Sequence, residues 1–331
     1  MTESPPDGGR TGGRRDQREP QRSGRHAFMI MAHEDPVVLR TLLASIDDPR
    51  HDIYLHVDPR ASGIDVAGLA DGVRRAHTEV VPPMKVNWGG FSQVRCELAL
   101  LERATQEPHD YYHLLSGADL PLVGPNALHE FFDEHRGTEF VHFVPGPPPE
   151  HIVDRVAVRH LFVERGRAGQ RDLGSRVKGR LEGWSATFQR RWYRHVVPGE
   201  FRWGSQWFSI TDDLARYVVS RRPWVERTFR RALNADEHFL QTLVVGSPFV
   251  DRLRVAADDP DRNGAARLID WSRGGGHSPH VWRTDDLGAL LAGPEQGYLF
   301  ARKFSSTTDG AVVAAMADRL GVGPDQDPRS R

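Results

Sequence analysis

The chain has 331 residues, 44 Lys plus Arg against 45 Asp plus Glu, and a formal net charge of −1. It is long enough for a sizeable core and too evenly charged for a dedicated nucleic-acid or polybasic membrane protein. One cysteine, Cys96, excludes an internal disulfide framework and a cysteine zinc cluster, and it fits a reducing compartment. Cys96 falls in an apolar helical pattern and reads as a small core residue.

Residues 1–25 hold six Arg, four acids and no aromatic residue. That composition cannot build a core and reads as a disordered tail, as do the polar residues 321–331. No stretch approaches the roughly 18 apolar residues needed to cross a bilayer. The amino terminus also lacks the apolar core of a signal peptide. Cytoplasmic placement follows as an expectation, with peripheral membrane contact through a basic segment described below.

From His26 to about residue 320 the pattern is that of one α/β domain. Ala27–Ala32 is a continuous apolar run, as in a strand covered on both faces. After His33-Glu34-Asp35-Pro36, Val37, Val38, Leu39, Leu42, Leu43 and Ile46 fall at helical spacing, with Pro36 suited to the first turn. Asp52–Val57 is a second strand ended by Asp58-Pro59, and a third follows around Glu79–Val81. The β-α-β order predicts a parallel sheet with covering helices.

Trp88-Gly89-Gly90-Phe91-Ser92 reads as a tight turn, with Ser92 as the cap of a helix carrying Val94, Leu98, Leu101 and Ala104. Tyr111–Leu115 is a fourth strand, running into the loop Ser116-Gly117-Ala118-Asp119-Leu120-Pro121-Leu122. A helix over Asn126–His135 and a strand over Glu139–Val144 close a first half, residues 26–144.

Pro145-Gly146-Pro147-Pro148-Pro149 marks a boundary. Residues 150–203 form a basic, aromatic-rich insertion, with eleven Arg and one Lys in 155–203 and Trp184, Trp192, Tyr193 and Trp203 interleaved. Such a segment suits RNA, a saccharide or phosphate wall, or a solvated helix face; the neutral overall charge weighs against nucleic acid. Residues 204–304 make a second half. Gly204–Ile210 reads as a strand, helices follow at about 212–221 and 223–233, and Asn234 is placed to cap a helix through Val244 with Asp236 and Glu237 in its first turn. Arg267–Trp271 is a short strand, Asp285–Leu291 a helix, Leu299–Phe304 a strand bearing Arg302 and Lys303, and Gly310–Leu320 a final helix.

Several chemistries are excluded. No Gly-x-Gly-x-x-Gly or Walker loop follows the first strand, no Gly-x-Ser-x-Gly elbow exists, and no His-Glu-x-x-His is present. Two Asp-x-Asp triplets could hold a divalent ion. Asp259-Pro260-Asp261 reads first as turn chemistry, and Asp325-Gln326-Asp327 lies in the polar tail. What remains is Asp58 at a strand's carboxyl end, where open α/β sheets bind ligands; flat faces from Trp88, Trp207 and Trp271; Glu237 as a general base; and fixed cations at Arg302 and Lys303.

Seven motifs then occur in order: His56-Val57-Asp58, Trp88-Gly89-Gly90, Leu115–Leu122, Gly204-Ser205-Gln206-Trp207-Phe208, Asp236-Glu237-His238-Phe239, Asp270-Trp271 with Ser278-Pro279, and Phe300-Ala301-Arg302-Lys303-Phe304. In these the chain resembles the family 14 glycosyltransferases, the core-2/I-branching N-acetylglucosaminyltransferases and peptide O-xylosyltransferases, in a bacterial-type form. The resemblance implies a GT-A-type α/β fold with a Rossmann-like nucleotide-binding half, an acceptor and catalytic half, and a mixed central sheet. It implies inverting transfer from a UDP-sugar to an acceptor hydroxyl on a glycan, peptide or lipid-linked saccharide, without a metal or other cofactor.

Carried over, Glu237 is the base. Ala32, Asp58, Val86, Asn87, Trp88, Gln206, Trp207 and Ser278 line the UDP-sugar, and Arg302 with Lys303 clamps the diphosphate. Asp119 either meets the acceptor or holds its own loop, and Trp271 is an acceptor contact. Xylosyltransferases tend to carry Asp where Gln206 stands, which leaves N-acetylglucosamine and xylose both open as the donor sugar. The other readings are a non-catalytic UDP-sugar or glycan-binding protein, and a metal-dependent transferase using Asp259 and Asp261.

Overall fold

A computed structural model describes residues 24–161, 163–164, 173–192, 195, 199–256, 262–275 and 278–323. The tail before Gly24, the Asp259/Asp261 triplet and the Asp325/Asp327 triplet lie outside these residues.

The first strand, β1 (His26–Ala32), is buried along its whole length. Its alternate residues feed two cores: Ala27, Met29 and Met31 point to one, and Phe28, Ile30 and Ala32 to the other. A strand apolar on both sides must be covered on both sides. Around it form β2 (His51–Val57), β3 (His77–Val80) and β4 (Tyr111–Ser116), all parallel, then β7 (Phe208–Thr211), antiparallel to β4, and β6 (Phe140–Val141), antiparallel to β7. The order is β3-β2-β1-β4-β7-β6. The predicted α/β class, parallel Rossmann-like half and mixed central sheet are therefore present.

One face carries α3 (Phe91–Ala104), α7 (Asp212–Ser220), α8 (Arg222–Phe229) and α9 (Phe239–Val245). The other carries α1 (Pro36–Ser45), α2 (Val66–Gly72), α4 (Pro125–Glu134) and α11 (Ser306–Arg319). Pro36 does open α1, and the Asp35 carboxylate caps it through the Val38 amide at 3.2 Å. Asp35 also accepts from Ser306 N and Oγ, at 2.7 and 2.8 Å, tying α1 to the start of α11.

A second sheet is not visible in the sequence pattern. Asp119–Pro121, expected as loop, forms β5. It pairs antiparallel with β9 (Phe300–Arg302), which pairs parallel with β8 (Arg267–Ile269). Three residues are too few to show a period of two. Arg267 fixes this sheet to the first. Its guanidinium is fully enclosed and donates to the carbonyls of Ala265 (2.6 Å) and Phe208 (2.7 Å) and to Ser209 Oγ (3.0 Å), while lying 4.4 Å from the Phe300 ring centroid. Burial drives its pKa down to about 9.

Several boundaries differ from the sequence pattern. The strand expected over Glu139–Val144 shrinks to two residues, because the Glu139 backbone bonds Arg252 O (2.7 Å) and Arg254 N (3.0 Å) and Val144 N bonds Trp203 O (3.0 Å), outside the ladder. Gly204–Trp207 leaves the ladder before β7, since its backbone bonds elsewhere, as described below. Ser92 does not cap α3; its hydroxyl accepts from Asn87 N at 2.8 Å, and the α3 N-cap is Gly90. Asn234 does not cap a long helix either. It sits in the left-handed region (φ 51°), and Ala235–Glu237 is a 3₁₀ turn that breaks at His238 before α9 begins.

Arg267→Ala should destabilise the fold by roughly 2–4 kcal/mol, because it orphans the carbonyls the guanidinium satisfies and opens a void beside Phe300. Thermal unfolding checks this, and an unchanged midpoint would show that the two sheets do not depend on Arg267.

Candidate active site

In the strand order, β1 is flanked by β2 and β4, whose connections leave in opposite directions. That is the topological switch point at which open α/β sheets take ligands, outside the carboxyl ends of the strands. The backbone pairing of β1 with both neighbours runs to that end: Asp58 N donates to Ala32 O and Gly117 N to Met31 O, both at 2.9 Å.

Asp58 is buried, and its carboxylate meets four donors: Arg60 N (2.8 Å), Nε (3.0 Å) and Nη2 (2.8 Å), and Val86 N (2.9 Å). Burial alone would raise its pKa, but the Arg60 guanidinium and these amides hold it well below the carboxylate range. Four donors fill its lone-pair directions. Asp58 therefore acts on the crevice by holding a loop. Arg60 reaches on to Val86 O (2.5 Å) and Asn87 Oδ1 (3.0 Å), so Ala32, Asp58, Val86 and Asn87 form one connected wall. Trp88 stands beyond it, 58% exposed. Glu164, unmarked in sequence, braces the wall by accepting from Asn87 Nδ2 (3.2 Å) and Ser92 N (2.7 Å).

Across the crevice, Arg302 pairs with Asp119 in strand register, Nη1 to Oδ1 at 2.7 Å, and its Cζ lies 4.5 Å from the Trp207 ring centroid. The other Asp119 oxygen accepts from Ser116 N at 2.8 Å. Of the two roles weighed for Asp119, holding its loop is the one its contacts supply. Lys303 Nζ meets Glu34 Oε1 at 2.7 Å, and the peptide bond between Arg302 and Lys303 is cis. Glu34 is half exposed; burial pushes its pKa up, but Lys303 outweighs that and leaves it low.

Lys303 N reaches His280 O at 3.4 Å, and His280 N bonds Asp270 O at 2.8 Å. Ser278 and Trp271 flank this rung. Both are exposed, and Trp271 lies two residues beyond Ile269, the register partner of Arg302.

Glu237 reaches the same rim through a four-residue bridge. Glu237 O accepts from Gly204 N at 2.9 Å, and three residues on Trp207 lies under Arg302. Gly204 is required there, because a Cβ would fall 1.9 Å from His142 O. The Glu237 carboxylate pairs with Arg155 Nη1 at 2.7 Å, Arg155 coming from α5 (Glu150–Ala157). Burial lifts the Glu237 pKa above the usual glutamate value against the pull of Arg155.

Behind this carboxylate lie two acids that sequence reasoning did not single out. Asp236 is buried, accepts from Gln93 Nε2 at 3.1 Å, and is pushed up by burial and by the charge of Glu237. Glu97 of α3 is fully enclosed, accepts from Gln206 Nε2 at 2.8 Å, and is raised far above its usual value by burial and then by Asp236. Glu97 had a signal: it interrupts the apolar face of α3 beside Val94, Leu98 and Leu101. Arg155 had none, being one of many arginines in its stretch.

One group of described side chains could converge on a cation, Asp48, His51 and His129. It lies at the amino end of β2, away from the crevice, and Asp48 is already held by Arg50 at 2.8 and 3.0 Å.

Compared with known proteins, the chain matches the Core-2/I-Branching enzyme family over residues 26–289. It is 24% identical over 298 residues to xylosyltransferase sqv-6 of Caenorhabditis briggsae, covering 82% of this chain and 33% of that protein. It is 23% identical over 304 residues to xylosyltransferase oxt of Drosophila pseudoobscura pseudoobscura (84% and 31%) and 24% identical over 312 residues to human xylosyltransferase 1 (88% and 30%). The chain thus spans about a third of the length of these relatives.

The Glu97 carboxyl gives a test with a definite sign. An unfolded glutamate ionises near pH 4.3, whereas this one keeps its proton in the fold. Stability from this group is therefore full at low pH and falls by up to about 1.4 kcal/mol per pH unit as pH climbs toward the raised value. Glu97→Gln keeps the acceptor for Gln206 and removes the ionisation. In unfolding measurements from about pH 5 to 8, the variant should gain steadily on the parent; parallel curves would mean that Glu97 is charged in the fold.

Proposed function

Because the chain belongs to the Core-2/I-branching enzyme family, we propose that it is a glycosyltransferase that moves a sugar from a UDP donor to an acceptor hydroxyl with inversion and without a metal ion. One observation carries this reading. The short bridge Gly204–Trp207 joins the carboxylate-bearing turn at Glu237 to the paired cations at Arg302 and Lys303, on one rim of the switch-point crevice.

In an inverting transfer the acceptor oxygen attacks the anomeric carbon as the bond to the diphosphate breaks. The acceptor proton passes to the Glu237 carboxylate, and the electron pair of the broken bond leaves on UDP. A carboxylate whose pKa lies above the ordinary value is a better proton acceptor in that step. Arg155 keeps it charged and oriented. Negative charge growing on the diphosphate needs fixed positive charge nearby, preorganised before reaction. Arg302 spends one donor on Asp119 and has others for phosphate oxygens. Lys303 is held by a half-exposed partner, a contact worth about 1 kcal/mol or less, which a diphosphate can displace.

The nucleotide half would hold the base and ribose against the wall that Asp58 and Arg60 organise, with Trp88 as a flat face. Gln206, tied to Glu97, and Trp207 would face the sugar, and Trp271 the acceptor. The relatives' names put xylose first among donors to test, with N-acetylglucosamine second, and the acceptor is a glycan, peptide or lipid-linked saccharide.

Glu237→Gln should lower turnover by roughly 10²–10⁴-fold while UDP affinity is kept. Near-normal turnover would remove the base assignment, and UDP binding with no turnover in the parent would point to a binding protein. The rate should rise with pH through an apparent pKa above the usual glutamate value. Arg155→Ala, which removes the downward pull, should move that limb to higher pH.

Arg302→Ala with Lys303→Ala should weaken UDP binding by at least roughly tenfold, since charged hydrogen bonds contribute about 1.5–3 kcal/mol each. Calorimetry with UDP reads this directly. Turnover should survive EDTA; loss on chelation with recovery in Mn²⁺ would transfer the role to Asp259 and Asp261.

A further inference from the structure

Helix α6 (Leu173–Trp192) is turned the wrong way for a helix of a self-contained domain. A surface helix normally gives its apolar stripe to the core and its polar face to water. Here Leu181, Trp184, Phe188 and Trp192 are 53%, 85%, 56% and 64% exposed. At 100° per residue these four positions share an arc of roughly 80°. The face turned to the protein is small and polar. Ala186 is buried there, Gln189 exchanges hydrogen bonds with the Arg159 backbone at 2.8 and 3.1 Å, and Arg190 Nε meets Asp154 at 2.7 Å. Four large apolar groups in one outward stripe call for an occupant.

The surrounding charge indicates which. Residues 173–192 carry Arg176, Lys178, Arg180, Arg190 and Arg191 against Glu182 alone. Arg180 and Arg191 are exposed at the margin of the stripe, with Arg191 Cζ 5.4 Å from the Trp192 ring centroid. A cavity of about 590 Å³ is lined by five arginines, Arg95, Arg159, Arg227, Arg230 and Arg231, and by Glu226. None of these five arginines forms an ion pair with a described acid. Arg159 belongs to both features, since its backbone holds Gln189 and its side chain lines the cavity.

We propose that α6 is an interfacial helix that lies in an anionic phospholipid surface. Trp, Phe and Leu would enter the headgroup boundary while the flanking arginines meet lipid phosphates. A second copy is a poorer occupant, because a two-fold pairing of this stripe brings the marginal arginines of one copy against those of the other. Neighbouring residues of α5 connect the surface to the site: Asp154 holds α6, and Arg155 holds Glu237. On the transferase reading above, a helix bound in this way would set the site beside acceptors carried on lipid, the lipid-linked saccharide among those named.

The experiment is co-sedimentation of the full chain, without donor, with vesicles of phosphatidylcholine alone and with about 30% phosphatidylglycerol. The protein should pellet with the anionic vesicles, and less so as salt rises. Trp184→Ser with Trp192→Ser should cut partitioning at least tenfold, and Arg180→Glu with Arg191→Glu by about fivefold or more per arginine. Both variants should keep the parent's circular dichroism and UDP affinity.

Absence of pelleting with anionic vesicles overturns the proposal. So does pelleting unchanged in the tryptophan variant, or a dimer in light scattering that this variant abolishes. Vesicle binding is read without catalysis, so its failure is separable from failure of the transferase reading.

Discussion

The Asp119–Arg302 pair is the contact on which the rest of the site depends. It joins β5 to β9, and so fastens the loop leaving β4 to the strand that carries both clamp cations. Asp119 is buried, and a buried acid without a cation would be costly. The pair therefore fixes where the guanidinium sits before any ligand arrives. Trp207 beneath the guanidinium closes the arrangement from the third side. On the proposed reading, a diphosphate would meet a charge already oriented by the fold, as electrostatic preorganisation requires.

The acids behind the site are arranged by the same logic with the opposite sign. Glu97, Asp236 and Glu237 form a row of carboxyl groups in a poorly solvated space. Like charges so placed cannot all ionise. Arg155 resolves the competition, because it pairs with Glu237 and with neither of the others. The negative charge is thus directed to the outermost member, Glu237, and the inner two, whose pKa values burial raises, hydrogen-bond to Gln206 and Gln93.

The sequence shows the parallel half well because that half obeys simple periods. The apolar run of β1 and the i, i+3, i+4 spacing of α1 are enough to place both, and Asp58 follows from its position at a strand end. The second half is less legible for specific reasons. β5 is three residues long and ends in Pro121. Gly204–Trp207 has the composition of a strand, but its amides and carbonyls serve Glu237, His142 and Gln241. Asn234 looks like a helix cap, yet its backbone turns left-handed to donate to Gly89 O at 2.9 Å, in the Trp88-Gly89-Gly90 turn. In each case a long-range contact overrides the local preference. The motifs marked Glu237, Arg302, Lys303 and Asp119, but they could not name the partners Arg155 and Glu34 or show which residue pairs with which, since pairing is decided by topology.

On the proposed reading, those partners keep the base and the clamp apart. Arg302 and Lys303 are each held by an acid, and Glu237 by an arginine, so no clamp cation is in contact with the base. Had Arg302 reached Glu237 directly, the two would neutralise one another, and both the proton acceptor and the diphosphate site would be weakened. The chain separates them with the Gly204–Trp207 bridge. Gly204 presses against His142 at one end and Trp207 lies flat under Arg302 at the other. The bridge fixes the separation between Glu237 and Arg302, and its residue Gln206 is held by Glu97 behind it. A carboxylate in place of Gln206 would set two acids against each other at that contact. The neutral amide and the raised Glu97 pKa are therefore one feature, and a charged residue at 206 would need a different partner beneath it.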